Sequence, residues 1–362
     1  MKTSNNETQD DKRHGSAALP AALCIQRSVP LAPLTTFRIG GSARFLVRAQ
    51  TVAEVRDAIS FARTRDLPFF ILGGGSNTLV SDGGFRGVVI KMEMRGIEEA
   101  QDGDRALLIA SAGESWDDLV AHAVERELWG IENLSGIPGT VGAAPVQNIG
   151  AYGVEAGDTI AWVEALDTRD DTIRTFANGA CRLAYRTSLF KQEANRFIIL
   201  RVAFTLSTHE CRRIEYADMQ AYFGENTQPE LSEIRDAVLA IRHDKFPDLS
   251  QEGTVGSFFL NPIVPAEDAA RVAQLVPGLP QFPQKNGTVK LLLAFLLDRG
   301  LTLKGHAVGG ARLFEHQPIV VVARFGASSR DVYELARMIR IKVRDAYDID
   351  IELEVRSIGD DE

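Results

Sequence analysis

The chain has 362 residues, a length for two or three domains at roughly 100–200 residues each. Its 45% apolar and 25% charged residues give an ordinary globular balance. A net charge of −9 excludes a general nucleic-acid binder, which needs a basic face against phosphate. An anionic small molecule held by a few local Lys or Arg residues stays open. Cys24, Cys181 and Cys211 are far apart and form no C-x-x-C pair, a pattern that fits a reducing cytoplasm. The six histidines show no ligand spacing, so no metal is expected.

The opening "MKTSNNETQDDKRHGS" is polar, lacks an apolar signal region and reads as a disordered tail, residues 1–29. The segment 37–50, "FRIGGSARFLVRAQ", reads as two strands around a Gly-Gly turn. The stretch 51–66 opens with a Thr51/Glu54 capping box and sets Val52, Val55, Ile59 and Ala62 on one face, predicting a helix. "LPFFILGGGSN" is a buried strand running into three glycines, and 87–92 is another strand. Residues 105–113 read as a strand and 115–130 as a helix capped by Ser115, with Asp118 in position to support the cap. Strands follow at 160–167, 172–176 and 196–206. Helices are expected over 231–248, over 288–301 and, with a cap, over 328–347. "LLLAFLL" (291–297) is too short to span a bilayer. The final "DIDIELEVRSI" alternates, with Ile349, Ile351, Leu353 and Val355 on one face and Asp350, Glu352, Glu354 and Arg356 on the other. The pattern is α+β with three lobes.

Two glycine-rich segments carry the first chemistry. In "GGGSNTLVSDGGFRG" (73–87), consecutive glycines let backbone N–H groups approach an anion, and Ser76 and Asn77 add donors. Neither an ATPase loop nor a dinucleotide fingerprint is present, and a plain tight turn is the alternative. "SGIPGTVGAAPVQNIGAYG" (135–153) is too long for an ordinary surface loop, and its small residues suggest a cofactor cradle. "ACRLAYRTSLFK" (180–191) offers Tyr185, Arg186 and Lys191; an arginine beside an aromatic can clamp a carboxylate, although a lone arginine is usually a solvated surface residue. Lys245 ends a helix, where a lysine is ordinarily solvent-exposed, and His243 reads as lying on a polar face. Ser257, in "EGTVGSFFLNP" (252–262), has no neighbouring base and no nucleophile elbow. It is either a neutral donor in a dry site or a serine capping its own turn. Glu354 is either an exposed edge carboxylate paired with arginine or an acid aimed into a cleft.

Together, "PLTTFRIGGSA", "GGGSNTLVSDGGFRG", "LSGIPGTVGAAPVQNIGAYG", "YRTSLFK", "IRHDKFPD", "GTVGSFFLNP", "LKGHAVGGA" and "IELEVRSIG" resemble, in order, the UDP-N-acetylenolpyruvoylglucosamine reductase (UDP-N-acetylmuramate dehydrogenase) family over residues 30–359. The resemblance implies an FAD-binding fold of the vanillyl-alcohol-oxidase type in two lobes, 30–95 and 96–240. A substrate domain would follow at 241–346, and a last strand, 347–359, would return to the first lobe. Non-covalent FAD would be held by Gly73, Gly74, Gly75, Ser76, Asn77, Ser135, Gly136, Pro138, Gly139, Gly142 and Gly150. NADPH would deliver hydride to FAD N5, and hydride would pass to C3 of the enolpyruvyl group of UDP-N-acetylglucosamine enolpyruvate, in peptidoglycan precursor synthesis. Ser257 would protonate C2, with Arg186 and Glu354 stabilising the enolate. The phenylalanines after Ser257 would keep bulk water out. Tyr152, Tyr185, Tyr216, Lys245, Asn261, Lys304 and Gln317 would bind substrate. The expected protein is a cytoplasmic monomer with no nucleic-acid or membrane partner.

Thr35, Ala184 and the spacing of "RLFEHQ" depart from the family pattern, the last bearing on Gln317. A covalent-flavin oxidase of the same fold would often tether FAD through a histidine near the first glycine loop, and residues 67–90 contain none. A non-enzymatic binding module would be expected to lack at least one of Arg186, Ser257 and Glu354, and all three are present.

Overall fold

The computed structural model describes residues 23–224 and 227–359. Its first unit contains β1 (Ile25–Pro30), β2 (Ser42–Ala49), α1 (Val52–Arg63), β3 (Phe69–Leu72), β4 (Thr78–Val80) and β5 (Phe85–Met92). The strand order is β1-β2-β5-β3, with β2, β5 and β3 parallel and β1 antiparallel at the edge. The Thr51–Glu54 capping box forms as expected, and Val55, Ala58, Ile59 and Ala62 are buried.

The second unit contains β6 (Ile97–Asp102), β7 (Arg105–Ser111), α2 (Trp116–Glu125), the short pair β8 (Gly150–Ala151) and β9 (Val154–Glu155), then β10 (Ile160–Asp167), β11 (Thr172–Ala177), α3 (Leu189–Gln192) and β12 (Phe197–Ser207). Its antiparallel sheet runs β11-β10-β12-β7-β6. One continuous apolar core joins this sheet and α2 to α1, β2 and β5. Two helices follow, α4 (Ala217–Phe223) and α5 (Leu231–Lys245), packed around Trp129 and Tyr152.

The last unit contains β13 (Glu252–Ser257), β14 (Ile263–Pro265), α6 (Ala266–Leu275), β15 (Gln281–Pro283), β16 (Thr288–Leu291), α7 (Leu293–Phe295), β17 (Ala307–Val308), β18 (Ala311–Leu313), β19 (Val320–Arg324), α8 (Ser329–Tyr347) and β20 (Arg356–Ile358). Its sheets run β13-β19-β18-β17 and β14-β16-β15. The chain then closes on itself, because β20 pairs in parallel with β4 of the first unit.

Four sequence expectations need correction. Residues 1–22 of the expected tail lie outside the described residues, but Ile25–Pro30 is a paired strand, so the ordered chain begins before residue 30. Residues 37–41 form no strand: Arg38 and Gly40 take positive φ, and Phe37 and Ile39 are drawn into the C-terminal core. The expected helix over 288–301 is split. Thr288 and Val289 pair in β16 between two strands, and the chain then makes a helical turn that continues as a π-helix over Leu296–Gly300. β-branched residues at a double-sided pairing position outweigh the helical appeal of the leucine run. The alternation of buried and exposed residues holds over 349–352 but breaks at Leu353 and Glu354, both of which are partly buried, and the segment meets its neighbours through isolated backbone bonds before β20 begins.

Candidate active site

A cleft of about 1040 Å³ opens between the two glycine-rich segments, the last strand and the C-terminal unit. Its size is at the upper end for single-ligand pockets, roughly 300–1,000 Å³. One wall is Gly73–Asn77 and the other is the segment around Gly136–Gly150.

The second segment is long but tightly held. Trp116 Nε1 donates to Leu134 O (2.9 Å), and Asp117 accepts from Gly136 N (2.6 Å). Trp116 N donates to Gly139 O, Val141 N to Glu114 O and Gly142 N to Ala112 O. The start of α2 therefore fixes the loop by its backbone. Asp117 also takes both ends of the Arg235 fork at 2.7 and 2.9 Å, joining the loop to α5. Burial alone would raise the Asp117 carboxyl, but Arg235 and the Gly136 N–H hold it below the usual range.

The two glycine segments pack backbone against backbone. A Cβ on Gly74 would lie 2.5 Å from Gly139 Cα, and one on Gly73 would lie 2.6 Å from Thr140 Oγ1. The Lys91 ammonium donates to Gly73 O from beneath, and burial lowers its pKa. Thr140 Oγ1 is buried without a hydrogen-bond partner in this wall. Narrow glycine backbones, free small-residue surface and an orphaned hydroxyl suit a planar polar cofactor, so these residues fit FAD.

Ser257 reaches the cleft through a bulge. The register of β13 against β19 shifts between Thr254 and Ser257, and Gly256 takes φ +75°, a conformation that favours glycine. Bulges re-aim side chains beside functional sites. Phe258 and Phe259 do not wall the cleft as expected. They are fully buried behind Ser257, packed with Phe37, and anchor the strand. Glu354 N donates to Phe258 O at 2.9 Å, which sets Glu354 beside the serine strand.

Arg186 sits in a tight turn between Ala184 and Thr187, with φ +53°. Its guanidinium donates to Gly150 O (3.0 Å) and Asn148 O (3.3 Å). Its Nε lies 2.8 Å from Glu354 Oε1, a charge contact without an aligned hydrogen bond. The Glu354 side chain is only 9% exposed, so the cleft reading is right and the exposed-edge reading is not. Burial raises its pKa, while Arg186 and Lys191 pull it back.

Of the other expected residues, Ser76, Pro138, Gly142, Tyr152, Tyr216, Lys245 and Gln317 line the cleft. Tyr152 and Tyr216 stack edge to face with centroids 5.8 Å apart. Burial pushes the Tyr152 hydroxyl up to about 12. Lys245 pairs with Asp218. Asn77 bridges the two glycine segments and the last strand, donating to Gln147 Oε1 (2.6 Å) and Glu354 O (3.2 Å). Four expected residues stand off the cleft. Ser135 is fully buried and donates to Glu132 O. Tyr185 packs beside Arg186, its hydroxyl accepting from Asn261 N at 3.4 Å. Asn261 Oδ1 accepts from Leu293 N and so caps α7. Lys304 pairs with Asp298 at 3.0 Å.

Arg242 lies outside the residues that the sequence motifs single out. It lines the cleft one turn before Lys245, half-buried beside the Tyr152 hydroxyl, and desolvation lowers its pKa. Its spacing three residues after Leu239, on the same face of α5, is the available signal. His243, read as lying on a polar face, also lines the cleft. The wall carries Arg186, Lys191, Arg242, Lys245 and Arg356 against Asp218, Asp248 and Glu354, a local positive excess on an acidic chain. Among the described residues no group of three His, Cys, Asp or Glu side chains is arranged to hold a metal, and no helix is long and apolar enough to cross a membrane.

Residues 43–177 match the FAD binding domain family, and residues 248–358 match the C-terminal domain of UDP-N-acetylenolpyruvoylglucosamine reductase. The chain is 42% identical over 335 residues to the UDP-N-acetylenolpyruvoylglucosamine reductase of Neisseria meningitidis serogroup A, covering 91% of this chain and 96% of the relative. It is 40% identical to that of Pseudomonas fluorescens, covering 92% and 98%. The crystal structure of UDP-N-acetylenolpyruvylglucosamine reductase from Thermus caldophilus superposes with a TM-score of 0.65 at 24% identity, covering 93% of this chain and all of that one. The fold is therefore the α+β FAD-binding fold expected from the sequence, and the protein is an FAD-dependent oxidoreductase. The C-terminal match and the relatives aligned over most of the chain place it more narrowly. It belongs to the UDP-N-acetylenolpyruvoylglucosamine reductase family.

Proposed function

We propose that this protein uses NADPH to reduce the enolpyruvyl ether of UDP-N-acetylglucosamine enolpyruvate, giving UDP-N-acetylmuramate for peptidoglycan precursor synthesis in the cytoplasm. The observation that carries the reading is the buried Arg186–Glu354 pair set beside the Ser257 strand on one cleft wall. Gly73–Asn77 and the Gly136–Gly150 segment would hold FAD, with Thr140 Oγ1 available as a partner. When bound, FAD supplies two-electron carriage between the nicotinamide and the sugar ether.

Reduction of the enolpyruvyl double bond adds a hydride equivalent at C3 and a proton at C2. Between these additions, negative charge develops on the carboxyl end of the substrate. The Arg186 guanidinium answers that charge from a position its turn and two carbonyls already fix, so little reorganisation is needed. Glu354, whose burial favours its neutral form, supplies a hydrogen bond to the same group. Ser257 Oγ donates the proton to C2. Its hydroxyl is a weak acid, but an enolate is a strong base, and the bulge at Gly256 supplies aim. Arg242 and Lys245 offer positive charge to the diphosphate, with Tyr216 across from Tyr152 at the nucleotide end.

The test is Ser257→Ala in single half-reactions. Anaerobic NADPH should still bleach the flavin, while reoxidation by the enolpyruvyl sugar should slow by a hundredfold or more, the scale of about 3–4 kcal/mol of transition-state stabilisation. Loss of both half-reactions, or of neither, contradicts the serine's role.

A further inference from the structure

We propose that Lys191 is a positioning residue for the Arg186–Glu354 pair, a role that rests on the reduction proposed above. It clamps the backbone of the Arg186 turn and adds positive charge beside the Glu354 carboxyl group.

The geometry starts from strain. Arg186 holds φ +53°, a backbone region that non-glycine residues enter at some cost. Such a turn persists only where its surroundings over-determine it. Ala184 and Thr187 exchange backbone hydrogen bonds across it at 3.1 Å. The Arg186 carbonyl accepts from Lys191 Nζ at 2.9 Å. Lys191 is itself placed by α3: Ser188 Oγ accepts from Lys191 N (3.2 Å) and donates to Val146 O (2.5 Å), tying this short helix to the glycine-rich segment. One ammonium therefore links the helix to the turn that aims the guanidinium.

The charge relations point the same way. Lys191 lines the cleft with Arg186 and Glu354. Glu354 is faced by Arg186 and Lys191, and Tyr185 from the same turn lies within its field. Lys191 in turn is faced by Glu354 and Glu352 from the segment before β20 and by Arg186 from its own side. Lys191 is an exposed residue whose ammonium is partly desolvated, which lowers its pKa, and Glu354 raises it. Removing Lys191 takes away one of the two cations that hold the Glu354 carboxyl down, so its pKa moves further up.

Lys191→Met and Lys191→Arg separate positioning from bulk structure. The measurements are flavin content, melting temperature, kcat and KM for the enolpyruvyl sugar, and the pH profile of kcat. Lys191→Met should hold flavin and melt as the wild type does. Its kcat should fall roughly tenfold to a hundredfold with KM nearly unchanged, the scale of a misplaced catalytic group. The kcat titration that reports the Arg186–Glu354 pair should move to higher pH. Lys191→Arg keeps the charge and a donor and should bring the profile back, with part of the rate. Wild-type kcat and an unmoved profile in Lys191→Met would overturn the proposal. So would a loss that leaves the profile in place and is not relieved by Lys191→Arg. If the wild type itself does not turn over the enolpyruvyl sugar, the reduction proposed above fails, and the positioning role falls with it.

Discussion

The packing of the two glycine segments gives the sharpest quantitative test. Gly74→Ala adds one methyl that would sit 2.5 Å from Gly139 Cα and 3.0 Å from its carbonyl carbon. Carbon atoms in contact prefer about 3.5–4.0 Å, so the loops must part by about 1 Å. Overpacking of that kind costs about 1–3 kcal/mol. If the strain is felt when the cradle closes on FAD, the FAD Kd rises about tenfold to a hundredfold. At an FAD concentration of 100 times the wild-type Kd, the cofactor stabilises the wild type by about 2.7 kcal/mol. A hundredfold weaker Kd leaves about 0.4 kcal/mol of that gain. Titration of deflavinated protein with FAD by fluorescence quenching, with melts at matched FAD, reads both quantities. Gly179→Ala is the internal control, since nothing lies within 4 Å of its added Cβ. A Gly74→Ala Kd within twofold of wild type would refute the reasoning, as would equal damage from Gly179→Ala.

Two further predictions rest on charge. Asp117→Asn weakens the link between the Gly136 loop and α5; with about a third of the Asp117 side chain exposed, the expected loss is about 1 kcal/mol after solvent screening. FAD affinity should fall as well, and because Asp117 is held below the usual range, its support is present at neutral pH and fades as pH falls through its folded-state value. Melting curves that match the wild type at pH 7 and diverge only in acid would contradict this. Glu354 has the opposite sign: burial raises its folded-state pKa, so the folded protein keeps that proton longer and loses stability as pH rises above the ordinary carboxylate range. Glu354→Gln lacks this titration, so its melting temperature should gain on the wild type over that interval, and parallel curves would contradict the assignment.

Local rules in the sequence reached far into this fold where one element decided the matter alone. The Thr51 and Ser328 capping boxes and the Ser115 cap stand where the sequence sets them, because a cap depends on four neighbouring residues. The rule failed where a distant partner decided. Thr288–Leu291 became a strand because β14 and β15 flank it. Phe37 and Ile39 left the expected strand for a core built more than 200 residues later. The candidate site follows the same division. Glycine runs, Ser257 and Arg186 were visible as motifs, whereas the burial of Glu354 and the inward face of Arg242 exist only once the last strand and α5 meet the cleft. Lys304 and Asn261, expected from the resemblance to bind substrate, here bind Asp298 and the start of α7.

The most direct measurement is an anaerobic absorbance spectrum of the purified protein, taken before and after NADPH and again after UDP-N-acetylglucosamine enolpyruvate. A flavin band that bleaches with NADPH and returns with the sugar is the predicted result, since it joins cofactor, donor and acceptor in one cleft. Bleaching without return would contradict the proposed acceptor.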